Sequence, residues 1–126
     1  MSDKTVRIGC ASAFYGDSQL SARQLVEKGD IDYLVFDYLA EVTMGLLAKA
    51  KARDERLGFA VDFVTVAMAD VIEECASKGI KVVANAGGVN VPACITGLRK
   101  LCEAKGLSLN VAGVYGDDLA LRRDEL

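Results

Sequence analysis

The sequence has no histidine and no tryptophan among its 126 residues. Without an imidazole, the chain by itself cannot form a Ser-His-Asp triad, a Cys-His dyad or a histidine-ligated zinc site. The four cysteines, Cys10, Cys75, Cys94 and Cys102, include no CxxC pair, so neither a zinc ribbon nor a thioredoxin-type motif is indicated. Chemistry on this chain therefore falls to carboxylates, amides, hydroxyls, thiols and backbone dipoles.

Neither sign of charge is in strong excess, and no long apolar run is present. Fifteen basic and 18 acidic residues give a formal net charge of −3, which disfavours nonspecific binding to nucleic acid or to an anionic membrane. The apolar runs are far shorter than the roughly 20 residues of a membrane-spanning helix. No secretory signal is recognisable, and this cysteine density does not suggest a disulfide framework. We expect a cytoplasmic protein with reduced thiols.

Strand and helix patterns alternate along the chain. Strands are predicted at 6–10, 33–36, 80–84 and 110–115, and helices over 18–28, 39–57, 62–78 and 92–105. Strands joined by helices of this length must run parallel, with right-handed crossovers. We predict a single α/β domain over residues 1–126, with a Rossmann-like parallel sheet of about four strands and helices on both faces. A barrel fragment is the structural competitor, although four strands cannot close an eight-stranded barrel.

Polar residues and glycines follow each predicted strand, at the edge where open parallel sheets bind ligands. Clustered acids repel one another and raise a carboxyl pKa toward neutrality, so we predict proton transfer by Asp37 and Glu41. The remaining candidates are expected to bind substrate: Asp17, Ser18, Asn85, Gly87, Gly88, Asn90, Asp117 and Asp118. Five of the ten candidates named above are acids, so Mg²⁺ is a possible cofactor. Their spacing, however, matches no standard metal loop.

Each candidate also has a purely structural interpretation. The acids after the first and fourth strands can cap helices, Glu41 can be a solvated first-turn acid, and paired glycines can simply turn the chain. The string NAGGVN (85–90) is neither GxGxxG nor a P-loop, so it indicates a nucleotide only weakly. Cys75, Cys94 and Cys102 are expected in the core, and Cys10 at the end of a buried strand.

Four strings in this order resemble one known family: YGDS (15–18), DYLAEVTM (37–44), NAGGVN (85–90) and GDDL (116–119). Together they are similar to the N-terminal domain of acyclic terpene utilisation proteins of the AtuA type, formerly a domain of unknown function. The resemblance runs from Arg7 to Leu119 and departs from the family where Val91 precedes Pro92. It implies a bacterial or fungal cytosolic protein linked to catabolism of citronellol- and geraniol-like terpenes, and a family domain that extends beyond Leu126.

Two functional hypotheses follow. In the first, the domain is part of an enzyme that acts on a small organic acid or its coenzyme A thioester. In the second, it is a noncatalytic ligand-binding or assembly subunit of the same pathway. Both hypotheses predict a small-molecule partner. A domain that lacks its C-terminal remainder can also expose apolar surface, so we expect either a homo-oligomer or a missing C-terminal domain.

Overall fold

The computed structural model describes residues 3–126, in which three strands form one parallel sheet. These are β1 (Ile8–Ser12), β2 (Tyr33–Phe36) and β3 (Lys81–Ala84), in the order β1-β2-β3. The α-helices are α1 (Ser21–Lys28), α2 (Glu41–Arg53), α3 (Ala69–Lys78) and α4 (Val91–Ala104). A π-helical segment, Phe63–Met68, leads into α3, and a 3₁₀ segment, Ala120–Glu125, lies near the end of the chain.

The helix ends follow the residue types that cap helices. Gly79 is left-handed with φ +67°, and Ile80 donates its amide to the Cys75 carbonyl at 2.9 Å, which together close α3. Asn90 caps α4 by accepting from the Ala93 amide at 3.3 Å, with Pro92 in the first turn. The predicted helix from Asp62 is confirmed in position, although Phe63–Met68 within it is π-helical.

The prediction of helices on both sheet faces is wrong. The buried or half-buried strand residues Gly9, Leu34 and Val82 face the helices; a Cβ built on Gly9 would lie 2.9 Å from the Leu25 side chain of α1. Residues that alternate with them, such as Ile8 and Val83, are 66% and 54% exposed. Because side chains on a strand alternate between faces, the helices cover one face and leave the other open.

The expected fourth strand is also absent from the described residues. Residues 110–115 have no regular secondary structure and are mostly exposed, with Val114 97% accessible. Their apolar, β-branched composition is typical of a strand, but a strand also needs a neighbouring strand to accept and donate its backbone hydrogen bonds. In the structure this segment lies on α4 instead of on the edge of β3, so the three-stranded parallel sheet is what remains of the predicted architecture.

The core lies between the covered sheet face and the helices. Leu34 and Val71 are completely buried, and the rings of Phe36 and Phe63 meet edge to face at 5.1 Å between centroids. At the core margin, Arg23 of α1 forms ion pairs with Asp70 and Glu74 of α3 and so ties the two helices together. No helix among residues 3–126 is both long and apolar enough to cross a membrane.

All four cysteines are unpaired thiols, and three were placed correctly by sequence. Cys75, Cys94 and Cys102 are buried, whereas Cys10 is exposed, because its side chain points to the uncovered sheet face. Burial raises the pKa of the Cys75 and Cys94 thiols to about 11 each. The helix start near Cys94 therefore does not make it a reactive thiolate.

Replacing Leu34 with Ala should destabilise the fold by about 2–5 kcal/mol, because the fully buried side chain would leave a cavity in the centre of the sheet. The matched control is Leu121→Ala, the same substitution at a side chain that is 99% exposed; it should change the free energy of unfolding by less than about 0.5 kcal/mol. Urea unfolding followed by circular dichroism measures both. Equal effects of the two variants would contradict the placement of Leu34.

One thiol should react with a thiol-directed chromogenic reagent in the native protein near pH 8, and four after denaturation. Cys10 is exposed, whereas the other three side chains are covered and two have a raised pKa. The unfolded thiols of Cys75 and Cys94 ionise at lower pH than the folded ones. The contribution of these two thiols to stability should therefore be constant below about pH 8 and fall as the pH rises toward 11. Rapid native reaction of a second thiol would contradict this arrangement.

Candidate functional site

The carboxyl ends of the three strands form one rim, which is tied together by hydrogen bonds. The Asn85 side chain, after β3, donates from Nδ2 to Oδ1 of Asp37 at 2.7 Å and accepts from the Tyr38 amide at 2.7 Å. The hydroxyl of Ser12, at the end of β1, donates to the Asp37 carbonyl at 3.3 Å. Parallel pairing thus brings residues from all three strand ends together, as predicted for Asp37 and Asn85, whereas Ser12 was not among the predicted residues.

The two acids predicted to transfer protons are placed differently. Asp37 lies on the rim with one carboxylate oxygen held by Asn85. Glu41 is exposed in the first turn of α2, and no hydrogen bond within residues 3–126 joins it to Asp37. Asp37 therefore has a positioned carboxylate, while Glu41 has the surroundings of an ordinary helix-start acid.

The glycine loop after β3 is needed for close packing. Gly88 has φ +52°, and an added Cβ would lie 2.5 Å from Cδ1 of Leu47 and 2.7 Å from the Gly58 carbonyl oxygen. At Gly87 an added Cβ would meet the Val91 side chain at 2.7 Å. The loop must therefore lie against α2 and the start of α4, and both glycines serve that contact.

Four other candidates make structural bonds, two of them within a local turn and two partly with distant segments. Asp17 accepts from the amides of Ala13 and Ser18, which lower its pKa, and Ser18 accepts from the Leu20 amide at 3.2 Å. These bonds form a turn before α1, which explains why that helix begins at Ser21 and not at 18. The other two candidates also bond to distant residues: Asn90 caps α4 and donates to the carbonyls at 55 and 57, and Asp118 accepts from the amide at 120 and from the lysine at 51.

A large apolar groove opens beside the rim. It has a volume of about 790 Å³ and lies between the free edge of β3, helices α3 and α4, and residues 109–114. Its floor includes the buried side chains of Met68, Ile72 and Cys75. At the rim end the lining becomes polar, with Asn85 and Asp117. Volumes of roughly 300–1,000 Å³ with few polar groups are usual for small-molecule sites.

A second, smaller pocket is lined by two predicted residues, Asp17 and Ser18, and by polar residues that were not predicted. It holds about 20 Å³, room for one water-sized atom, beside Ser12, Tyr38 and Asp62. Oδ1 of Asp62 is buried and has no hydrogen-bond partner within residues 3–126. Burial, and to a lesser degree the Asp62 charge, raises the pKa of Tyr15 and Tyr38. The sequence signal for this pocket is Asp62, an aspartate among apolar residues (VDFV, 61–64) at the start of a predicted helix.

The predicted residues do not form a metal site. Within the described part of the chain, no group of three or more Cys, Asp or Glu side chains is arranged to hold a metal ion. Asp17 and Asp118 use their carboxylates in local bonds, and Asp37 is bonded to Asn85. The acids therefore follow strands that end at one sheet edge, but within the described residues their carboxylates do not gather around one point as metal ligands would.

Comparison with known proteins identifies one family. Its model, described as "Acyclic terpene utilisation family protein AtuA", matches residues 6–126. No curated protein and no solved structure gives a significant match. Since the match covers nearly all of the chain, including the rim, the groove and the small polar pocket, the protein belongs to the AtuA family of acyclic terpene utilisation proteins.

Proposed function

We propose that the domain binds a branched, acyclic carboxylic acid or its coenzyme A thioester, with the apolar chain in the groove and the oxygenated head at the rim. The groove carries this proposal, because it joins a long apolar lining to a polar end. The family is linked to acyclic terpene utilisation by its name, and such molecules have this two-part character.

The groove suits the apolar part of such a ligand. Aliphatic side chains from α3, β3 and α4 line it, among them Ile72, Val82, Ile95 and Leu98. Burying a hydrocarbon chain gains about 25 cal/mol per Å² of surface removed from water and requires no directional partner. A branched chain removes more surface than a linear chain of the same length, and it loses fewer rotatable bonds on binding than a linear chain with the same number of carbons.

The rim suits the head group. Asn85 lies at the groove end and holds the carboxylate of Asp37. A carboxylate oriented in this way can accept a proton from the carbon beside a thioester carbonyl, because a positioned Asp can serve as a general base. In the enzymatic form of the proposal, Asp37 is this base, and Glu41 supplies negative charge at the start of α2.

A noncatalytic binding or assembly subunit is the second candidate. Glu41 is exposed and makes no hydrogen bond to Asp37 within residues 3–126, whereas Asp37 is held on the rim by Asn85. Under this candidate the groove and the rim recognise the same ligand, but no bond is made or broken.

Citronellate and its coenzyme A thioester should raise the melting temperature, by roughly 8–12 °C at 100 times the dissociation constant, since that concentration adds about 2.7 kcal/mol. Leu98→Gln, which places a polar group in the groove wall, should weaken binding at least tenfold. Leu121→Gln, away from the groove, should not change binding, and melting without ligand shows that both variants fold. Acetate, which lacks the apolar chain, should have no effect. Equal shifts with acetate and citronellate would refute the use of the groove.

Asp37→Asn should abolish proton exchange but retain binding. In D₂O the wild type should incorporate deuterium at the carbon beside the citronellyl thioester carbonyl, and the variant should do so at least 100-fold more slowly. Its affinity for the thioester should stay within threefold, because the amide has the shape of the carboxylate. Asp124→Asn, an exposed acid far along the chain, is the matched control. Binding without exchange in the wild type would favour the noncatalytic candidate.

A further inference from the structure

The uncovered face of the sheet has an ordered pattern of side chains. Along each strand, more exposed residues alternate with more buried ones, and the more exposed set points to this face. The parallel register aligns that set in three rows across the strands. Parallel sheets are almost always covered on both faces, so the bare face is a candidate contact surface.

The two end rows of the face carry opposite charges. At the amino-terminal end of the strands, the Lys81 ammonium lies 5.6 Å from the centre of the Tyr33 ring on the neighbouring strand. At the carboxyl-terminal end, directly after β2 and β3, Asp37 is exposed beside Asn85. Neither Lys81 nor Asp37 has an ion-pair partner within residues 3–126. Both charges are therefore available to a partner.

The middle row of the face is apolar. Val35 of the central strand lies in register with Cys10 on one side and Val83 on the other. Cys10 and Val83 are exposed. Ile8, which is 66% exposed, extends this apolar surface toward the amino-terminal end of β1. Contact with a second apolar surface would remove these side chains from water.

The sequence of rows, positive, apolar and negative, is complementary to itself. When a two-fold axis lies between two copies and perpendicular to their strands, the two sheets face each other and run in opposite directions. Lys81 of each copy then lies opposite Asn85 of the other, one strand spacing from Asp37. Each residue of the middle row lies opposite its own counterpart.

Charge excludes the other two-fold arrangement. An axis parallel to the strands would place Asp37 opposite Asp37, because β2 is the central strand. It would also set Lys81 of each copy against Ile8 of the other. Like charges repel across an interface, and an ammonium group that is buried against an apolar side chain loses its hydration without compensation. The perpendicular axis is therefore favoured.

We propose that the uncovered face is the contact surface of a homodimer, in which two copies of this chain pack sheet against sheet in opposite directions. The dimer brings Lys81 of one copy to the rim of the other, beside Asp37. About eight side chains a copy take part, fewer than the roughly 20–30 of a standard interface, so we expect a dissociation constant in the micromolar range. This inference does not rest on the proposed function, because the contact needs no ligand.

Sedimentation velocity at increasing protein concentration tests the dimer. At several hundred micromolar, the wild type should approach twice the 13.4 kDa of one chain, and near 1 µM it should be monomeric. Val83→Glu, which places a charge in the apolar row, should weaken association at least tenfold. Val114→Glu is the matched control: it makes the same change at a side chain that is 97% exposed and lies outside this face, and it should not alter association.

A charge exchange tests the contact between the end rows. Lys81→Glu should weaken association at least tenfold, because it sets two acids against each other. Adding Asp37→Lys should restore association to within about threefold of the wild type. Lys100→Glu, at an exposed lysine of α4, is the matched control and should have no effect. Thermal melting shows whether each variant folds.

Cross-linking at Cys10 tests the orientation. In the proposed dimer the two Cys10 side chains face each other across sheets about 10 Å apart, which is too far for a disulfide but within reach of a short bismaleimide. At several hundred micromolar protein, the reagent should link wild-type chains in pairs, whereas Cys10→Ser should remain unlinked. In the dilute thiol assay the protein is monomeric and Cys10 reacts.

Each possible failure has its own signature. A wild type that stays monomeric at several hundred micromolar, or a dimer that Val83→Glu leaves intact, would overturn the sheet contact. A dimer that is not linked through Cys10 would overturn the orientation, as would a charge exchange that folds without restoring association. A Cys10 thiol that is unreactive at every concentration would assign the face to another part of the chain. None of these results affects ligand binding in the groove, so the proposed function is tested separately.

Discussion

Parallel pairing of β2 with both of its neighbours is the constraint on which the rest of the structure depends. It places the ends of three strands at one edge, and the burial of Leu34 and Phe36 fixes which strand faces meet the helices. A shift of one residue in β2 would turn these side chains to the open face, so the register is strongly specified. The rim, with its bond between Asn85 and Asp37, exists only because this register holds.

The groove results from the same sheet ending after three strands. A parallel sheet is normally covered on both faces and continues until its edges are protected. Here the edge of β3 stays open beside α3 and α4, so apolar side chains that a neighbouring strand would cover line a cavity instead. An unfinished edge and a ligand-sized groove are therefore one feature.

Residue patterns predicted much of this fold from sequence. The continuous apolar run at 33–36, the helical stripe after Asp62, and the Gly79 and Pro92 signals all gave correct elements, because burial periodicity and capping are local properties. The position of polar residues after strands likewise predicted that Asp37 and Asn85 would meet. The exposed face of Cys10 and the detached segment at 110–115 were missed, since neither depends on local preference.

Local residue types thus decided where strands and helices form, how they are capped and at which sheet edge the polar side chains gather, because each of these follows from a few neighbouring residues. Tertiary packing alone decided the number of strands, the bare face and the orphaned Asp62 oxygen. Tertiary packing also decided which candidates lie on the rim. Asn90 and Asp118 bond to distant parts of the chain, whereas Asn85 holds Asp37 on the rim. Those outcomes depend on partners far apart along the chain, and no local pattern contains them.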